Sequence, residues 1–309
     1  MRRTEACGLV TYHFDSLARD GLVHAIFTRQ GGVSQRPFAT LNVGRSVGDD
    51  PAAVAENLRR ICAHLGVSAD QIVTPYQVHG NRVAVVTAPD AGRVIPNTDG
   101  LVTAAPGVVL LLRFADCQPV LFYDPAHHAL GLIHAGWRGV AQGVVRRAVE
   151  AMQAAFGTRP GELIAGLGPA IGPCCYTVGH DVAAAMGYAL PDWRQVMALQ
   201  DDDSWRFDLP AANAQQLAAA GVEQIEQAGL CTASHQDEFY SHRGDNGRTG
   251  RFAVVAYLEQ RAEAWADQAP VDEETGSLAA EPGPEADISP SSLQPPGFPA
   301  FGEWEGGER

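Results

Sequence analysis

VVLLLRFADCQPVLFYDPAHHALGLIH, residues 108–134, carries most of the topological information in this chain. Its apolar runs at residues 108–115, 119–123 and 129–134 read as three strands, separated by Asp116 and by Asp124-Pro125. The connections are only about four to five residues, whereas a parallel crossover needs a dozen or more. Consecutive strands here are therefore expected to pair antiparallel, which argues against a purely parallel doubly wound sheet.

The flanking sequence extends the pattern. Residues 24–28, 82–87, 100–103, 163–167 and 252–258 also read as strands. Asp50-Pro51 opens a helix to Leu65, with the cap, the proline at the first helical position and an apolar face of Val54, Leu58, Ile61, Cys62 and Leu65; Gly66 ends it. A second helix is expected over residues 138–156, and shorter ones over 181–186 and 211–220. The sum is an α+β domain with a mixed sheet.

The chain has 309 residues, 46% of them hydrophobic, which is globular composition. The longest apolar run, residues 107–112, ends at Arg113 and falls far short of the ~20 residues of a membrane span. No stretch suited to a signal peptide follows Arg2 and Arg3, so a cytoplasmic location and no membrane partner are expected. Of the net charge of −14, residues 263–309 carry −10, from eleven acidic side chains and one arginine. That segment, rich in Pro and Gly, is expected to be a disordered acidic tail, leaving residues 1–262 as a single catalytic domain. The near-neutral body gives no reason to expect nucleic-acid binding.

All 22 basic residues are arginine, which excludes Schiff-base lysine chemistry and leaves guanidinium forks as the cationic contacts. Six cysteines are scattered without a Cys-x-x-Cys pair, which speaks for a reduced compartment and against a zinc ribbon or a disulfide framework.

Three residues combine soft or borderline donors with a place at the end of an apolar run. They are His79 in Gln77-Val78-His79-Gly80, Cys117 in Ala115-Asp116-Cys117, and His134 in Ile133-His134-Ala135-Gly136. Two imidazoles and a thiolate suit zinc and leave a fourth position open. Their separations, 38 and 17 residues, match no compact metal motif, and a core cysteine with hydrogen-bonded histidines is the plain alternative. Gly136-Trp137-Arg138-Gly139, at a strand-to-helix junction, offers backbone N–H groups and a guanidinium to an anion, or is simply a tight turn. The Gly-Pro loop from Gly166 to Tyr176 matches neither a phosphate loop nor a dinucleotide fingerprint.

In chain order, Thr28-Arg29-Gln30-Gly31-Gly32, Leu41-Asn42-Val43-Gly44, Gln77-Val78-His79-Gly80, Asp99-Gly100-Leu101-Val102, Ala115-Asp116-Cys117-Gln118-Pro119, His134-Ala135-Gly136-Trp137-Arg138-Gly139, the Gly-Pro loop and Phe239-Tyr240-Ser241-His242-Arg243 resemble the YfiH/YlmD family. That family was long labelled multicopper polyphenol oxidase and is now regarded as purine nucleoside phosphorylases. The resemblance covers residues 21–258. It implies a layered α/β/β/α fold of the type seen in cysteine-hydrolase-like CNF toxins. It places a metal or catalytic triad on His79, Cys117 and His134, with zinc as cofactor and copper as the other candidate. It also implies substrate contacts from Arg29, Asp116, Arg138 and Arg243, and purine nucleoside and phosphate as partners of a monomer or weak homo-oligomer. The activities implied are phosphorolysis of adenosine, inosine and methylthioadenosine, and adenosine deamination. An alternative is an amidase that edits peptidoglycan precursors by removing misincorporated serine.

The chain departs from the family where Leu58 follows Asn57, where Thr177 follows Tyr176 and where Gly244 follows Arg243. The first and third leave fewer cations for phosphate, with Arg59 or Arg60 as replacements. A copper-dependent polyphenol oxidase is a poor physical fit, since the ten histidines include no His-x-His and no His-Cys-His.

Overall fold

A computed structural model describes residues 1–259; the acidic segment expected at 263–309 lies outside the described residues. The elements in the first half are β1 (Arg2–Ala6), β2 (Leu9–His13), β3 (Leu22–Phe27), α1 (Pro51–Leu65), β4 (Ile72–Pro75), β5 (Val83–Val85), β6 (Val94–Ile95), β7 (Gly100–Thr103), β8 (Val109–Phe114), β9 (Gln118–Asp124) and β10 (Ala129–Ala135). There follow α2 (Trp137–Ala141), α3 (Val144–Phe156), β11 (Ile164–Leu167), β12 (Thr177–Val178), α4 (His180–Ala189), β13 (Met197–Leu199), β14 (Trp205–Phe207), α5 (Leu209–Ala219), β15 (Gln224–Gln227) and β16 (Phe252–Leu258).

Two mixed sheets form the body, one ordered β1-β2-β3-β16-β8-β4-β6 and the other β15-β11-β9-β10-β7-β5. Strand periodicity explains how they stack. Leu110, Leu112 and Phe114 of β8 and Phe252, Val254 and Ala256 of β16 share one cluster with Leu121, Tyr123, Leu130 and Leu132 of β9 and β10. The alternate residues Val109, Leu111, Ala253 and Val255 face the other way, onto Ile61 and Cys62 of α1. Val120, Phe122 and Ile133 pack on Val145, Val149 and Met152 of α3 and Leu217 of α5. The layers are thus α1, sheet, sheet and α3 with α5, an α/β/β/α arrangement. Because both faces of the central strands are covered, their sequences read as continuous apolar runs. A small sheet, β12-β14-β13, and α4 form a satellite cluster around Phe207 and Met186.

Two expectations are corrected. The strands at 108–115 and 119–123 form no hairpin: β8 pairs with β16 and β4 in one sheet, while β9 pairs with β10 and β11 in the other. Asp116, at φ +88°, turns the chain out of the first sheet, and the short link crosses between layers. The antiparallel expectation holds for β9 and β10. The helix expected over 138–156 is two, because Gly143 at φ +73° breaks it between α2 and α3. The helix opened by Asp50 forms as read: its carboxylate accepts from Ala52 N at 3.0 Å, and Gly66 closes it at φ +68°.

Candidate active site

Three distant segments meet where the chain passes between the sheets. His79 lies in the connection from β4 to β5, Cys117 in the crossing from β8 to β9, and His134 next to last on β10. One donor atom from each lies within 4.8 Å of the other two. The two imidazoles meet edge to face with centroids 4.9 Å apart, and Phe114 closes the inner side of His134 at 5.5 Å.

Asp99, fully buried just before β7, organises the group. Its Oδ1 accepts from His79 N at 2.9 Å and from His134 Nδ1 at 2.9 Å; Oδ2 accepts from Val78 N at 3.1 Å and Gly80 N at 2.8 Å. One carboxylate therefore wraps the 78–80 turn around itself and fixes the proton of His134 on Nδ1, leaving Nε2 as a donor atom for the site. His79 sits at φ +62° and Asp116 at φ +88°. Such conformations cost a non-glycine residue on the order of 1–3 kcal/mol and persist when surrounding bonds over-determine them. Asp99 supplies those bonds for His79. For Asp116 they come from Thr232 Oγ1 and Arg243 N, each at 2.6 Å to its carboxylate.

Close approach also dictates Gly136. A Cβ there would stand 2.6 Å from Cys117 Sγ and 3.6 Å from His79 Cδ2. Burial pushes the Cys117 thiol up, but the charge of His134 and hydrogen bonds from both imidazoles outweigh it and bring it down to about 6. Burial likewise disfavours charge on His134, and the Cys117 thiolate with Asp99 reverses that and raises it. Each group thus favours charge on the other, the thiol drawn down by the imidazole and the imidazole drawn up by the thiolate.

The other four residues singled out from the sequence fall less evenly. Arg243 donates from Nη1 to Thr177 O at 2.5 Å and lies 5.2 Å over the ring of Tyr176. Arg138 is exposed, stacked 4.7 Å from Trp137 on the five-residue α2. Asp116 spends both carboxylate oxygens on Thr232 and Arg243, so it positions the crossing. Arg29 is drawn elsewhere: it donates to Ala39 O and Gln236 O, stacks on Tyr240 and lines a cavity with Arg36 and Arg248 that includes none of the three donors. Arg59 and Arg60 both pair with Glu56, and Arg60 also donates to Gly31 O.

Sequence reading gave no role to Asp99, which appeared only as the first residue of the Asp99-Gly100-Leu101-Val102 segment, or to Tyr176 at the end of the Gly-Pro loop. Burial and the neighbouring Cys117 thiolate push the Tyr176 phenol up, which keeps it a neutral hydroxyl.

A family model described as multi-copper polyphenol oxidoreductase laccase matches residues 23–259. The chain belongs to this family. It is 39% identical over 257 residues to the purine nucleoside phosphorylase YlmD of Geobacillus stearothermophilus, spanning 79% of this chain and 92% of that one. It is 42% identical over 240 residues to a purine nucleoside phosphorylase of Deinococcus radiodurans, spanning 77% and 90%. The crystal structure of YlmD from Geobacillus stearothermophilus superposes with a TM-score of 0.79 at 37% identity, covering 83% of this chain and 98% of that one. The Bacillus licheniformis protein YfiH does so with 0.78 at 33%, covering 82% and 98%. The family's layered fold is thus this chain's fold, and among the described residues no helix is long and apolar enough to cross a membrane.

Proposed function

We propose that this chain is a purine nucleoside phosphorylase working at His79, Cys117 and His134, with adenosine deamination as a second activity of the same site. The observation that carries the reading is the convergence of these three donors, with His134 oriented by Asp99, in a family whose relatives bear the phosphorylase name.

The donor set fits a zinc ion: two imidazole nitrogens, one thiolate, a carboxylate holding one imidazole, and a fourth side left to ligand. Copper fits the same donors, by its higher affinity for nitrogen and sulfur. A bound zinc would supply positive charge against the negative charge that develops on a departing purine, and Lewis acidity for a water at purine C6.

The chain's own groups do the rest. In phosphorolysis a phosphate oxygen bonds to C1′ of the ribose while the bond to the purine nitrogen breaks, the purine leaving with the electron pair. Arg243, anchored on Thr177 and Tyr176, and the exposed Arg138 provide guanidinium forks for the phosphate. The Tyr176 ring, packed against Phe207 at 5.6 Å, gives an apolar face for the base. Asp99 and Asp116 hold the two strained turns in place and so keep His79 and Cys117 in register with His134.

The test is incubation with adenosine, with and without phosphate. Adenine and ribose 1-phosphate in the phosphate arm support phosphorolysis; inosine in either arm supports deamination. No purine product in either arm overturns the reading. Cys117→Ala should lower turnover at least ~10³-fold. One second reading has an observation in its favour: Cys117, His134 and Asp99 are also ordered as nucleophile, base and orienting acid, as an amidase editing cell-wall precursors would use them. That reaction would survive full removal of metal; the phosphorylase reading predicts that activity falls with the zinc and returns on its addition.

A further inference from the structure

A second group of soft donors lies outside the site described above. The sulfur atoms of Cys174, Cys175 and Cys231 lie within 4.8 Å of one another. Cys174 and Cys175 come from the turn that ends the Gly-Pro loop, where Cys175 N and Tyr176 N both donate to Gly172 O, at 3.0 and 3.1 Å. Cys231 comes from a loop more than fifty residues later. Backbone bonds dock it there: Ala170 N to Leu230 O at 3.2 Å and Thr232 N to Ala170 O at 3.0 Å.

From these residues we infer a second metal site, a three-thiolate site for a thiophilic d10 cation, zinc or copper(I). Tetrahedral zinc with Zn–S bonds of about 2.3 Å places its sulfurs about 3.8 Å apart, so small side-chain rotations close the observed cluster onto an ion. Soft thiolates select these ions, and copper(I) is satisfied by three of them. The surroundings are already arranged for sulfur. Gly172 N donates to Cys231 Sγ at 3.2 Å, and the Ser234 hydroxyl stands 3.3 Å from Cys175 Sγ and 3.5 Å from Cys174 Sγ. A Cβ on Gly172 would lie 3.3 Å from Cys231 Cβ and 3.6 Å from Cys174 Sγ, so the absence of a side chain keeps the space between the thiols clear. Cys174 and Cys231 line a cavity of about 640 Å³ with Gln118 and Asp208, which gives an ion a way in. Cys174 is exposed and the other two are half-buried.

An ion here would tie the Gly-Pro loop to the 228–235 loop. Tyr176 follows the first of these directly, and the second leads to Arg243, so both flanks of the His79–Cys117–His134 group would be fixed by one closure. The inference does not depend on the reaction proposed above. Residues 260–309 contain no cysteine or histidine, so all six cysteines lie among the described residues, with Cys7 and Cys62 in neither group.

The experiment uses the full chain, reduced with a phosphine and stripped with a chelator, then titrated with Co2+ and Zn2+. Cys117→Ala removes the only thiolate of the first site, so in that background sulfur-to-cobalt charge-transfer absorption reports on this cluster. Expected are two tight zinc ions per wild-type chain and one per C117A chain. C117A should show a thiolate–cobalt band that zinc bleaches, and a Tm that zinc raises by roughly 5 °C. C174S added to C117A, a change at an exposed side chain, should dim the band and weaken zinc at least roughly tenfold. The inference is overturned by one zinc per wild-type chain and none in C117A, by a C117A chain without the band, or by a band that C174S and C231S together leave intact.

Discussion

Replacing Asp99 by asparagine tests whether one buried carboxylate builds the site. Its two oxygens accept four N–H bonds, from Val78, His79, Gly80 and the His134 ring, at 2.8–3.1 Å. Asparagine keeps one acceptor oxygen and presents an NH2 group to the other pair of donors. If the oxygen faces His79 and His134, the N–H groups of Val78 and Gly80 are left against an amide donor. If it faces them, His134 must move its proton to Nε2 and aim it at Cys117. The first arrangement leaves two N–H groups unsatisfied and the second leaves that of His79, at about 1–3 kcal/mol each, so the loss is roughly 1–6 kcal/mol in all. For a domain of this size, even the lower figure is a fall in Tm of about 2–4 °C. Zinc affinity, measured against a competing chelator, should drop about 10–100-fold, because His134 loses the partner that fixes its tautomer. Both readouts are needed. A D99N protein that unfolds at the wild-type urea midpoint and binds zinc within about twofold of wild type would refute the role given to Asp99.

Three further outcomes follow from the same geometry. Gly136→Ala should abolish thiolate–cobalt absorption from Cys117 and cut phosphorolysis at least ~10²-fold, since its Cβ would stand 2.6 Å from Cys117 Sγ; wild-type spectra in that variant would contradict the packing described. His24, buried and accepting from Phe14 N at 2.8 Å, is held down to about 4 by desolvation and by His13, so the unfolded chain binds more protons than the folded one between pH 6.5 and 4. Its contribution to stability is complete above pH 6.5 and is lost as pH falls toward 4, by about 3 kcal/mol, which urea midpoints across that range should show and His24→Gln should flatten. Asn57, fully buried in α1, accepts from Val33 N and donates to Ser34 Oγ, Thr40 O and Asn42 O; Asn57→Ala should cost about 3 kcal/mol by urea unfolding while leaving zinc stoichiometry unchanged.

The central strands were legible because burial on both faces writes an unbroken apolar run, as in β8, β9, β10 and β16, and the 100–103 and 252–258 strands fall where the composition put them. The exposed strand β1 was not, since its RRTEA sequence carries no apolar face, and two-residue strands such as β12 have no period to read. The break in the 138–156 helix was written as Gly143, but a lone glycine inside an apolar helical pattern is as often tolerated as obeyed. The surroundings of Arg29 were hidden for a different reason: its carbonyl partners, Ala39 and Gln236, come from segments that only tertiary structure brings together. Asp99 was invisible as an organiser because all four of its donors are set by tertiary structure.

The missing hairpin between β8 and β9 is what makes the site. The apolar runs say that residues 108–115 and 119–123 are strands, but not that they belong to different sheets. Had they paired, Cys117 would sit in a tight turn at the rim of one sheet, with His79 in a connection leading elsewhere. Instead both the β4–β5 and β8–β9 links pass from the seven-stranded sheet to the six-stranded one. Each link carries one donor, and each is held in a left-handed turn by a carboxylate, Asp99 for His79 and Asp116 for its neighbour Cys117. His134, at the end of β10, is the fixed point against which both are set. The two acidic residues are therefore the hinge pins of one seam. Loosening either should separate a histidine or a cysteine from His134 without disturbing the cores above and below, since the clusters that hold each sheet contain none of the three donors.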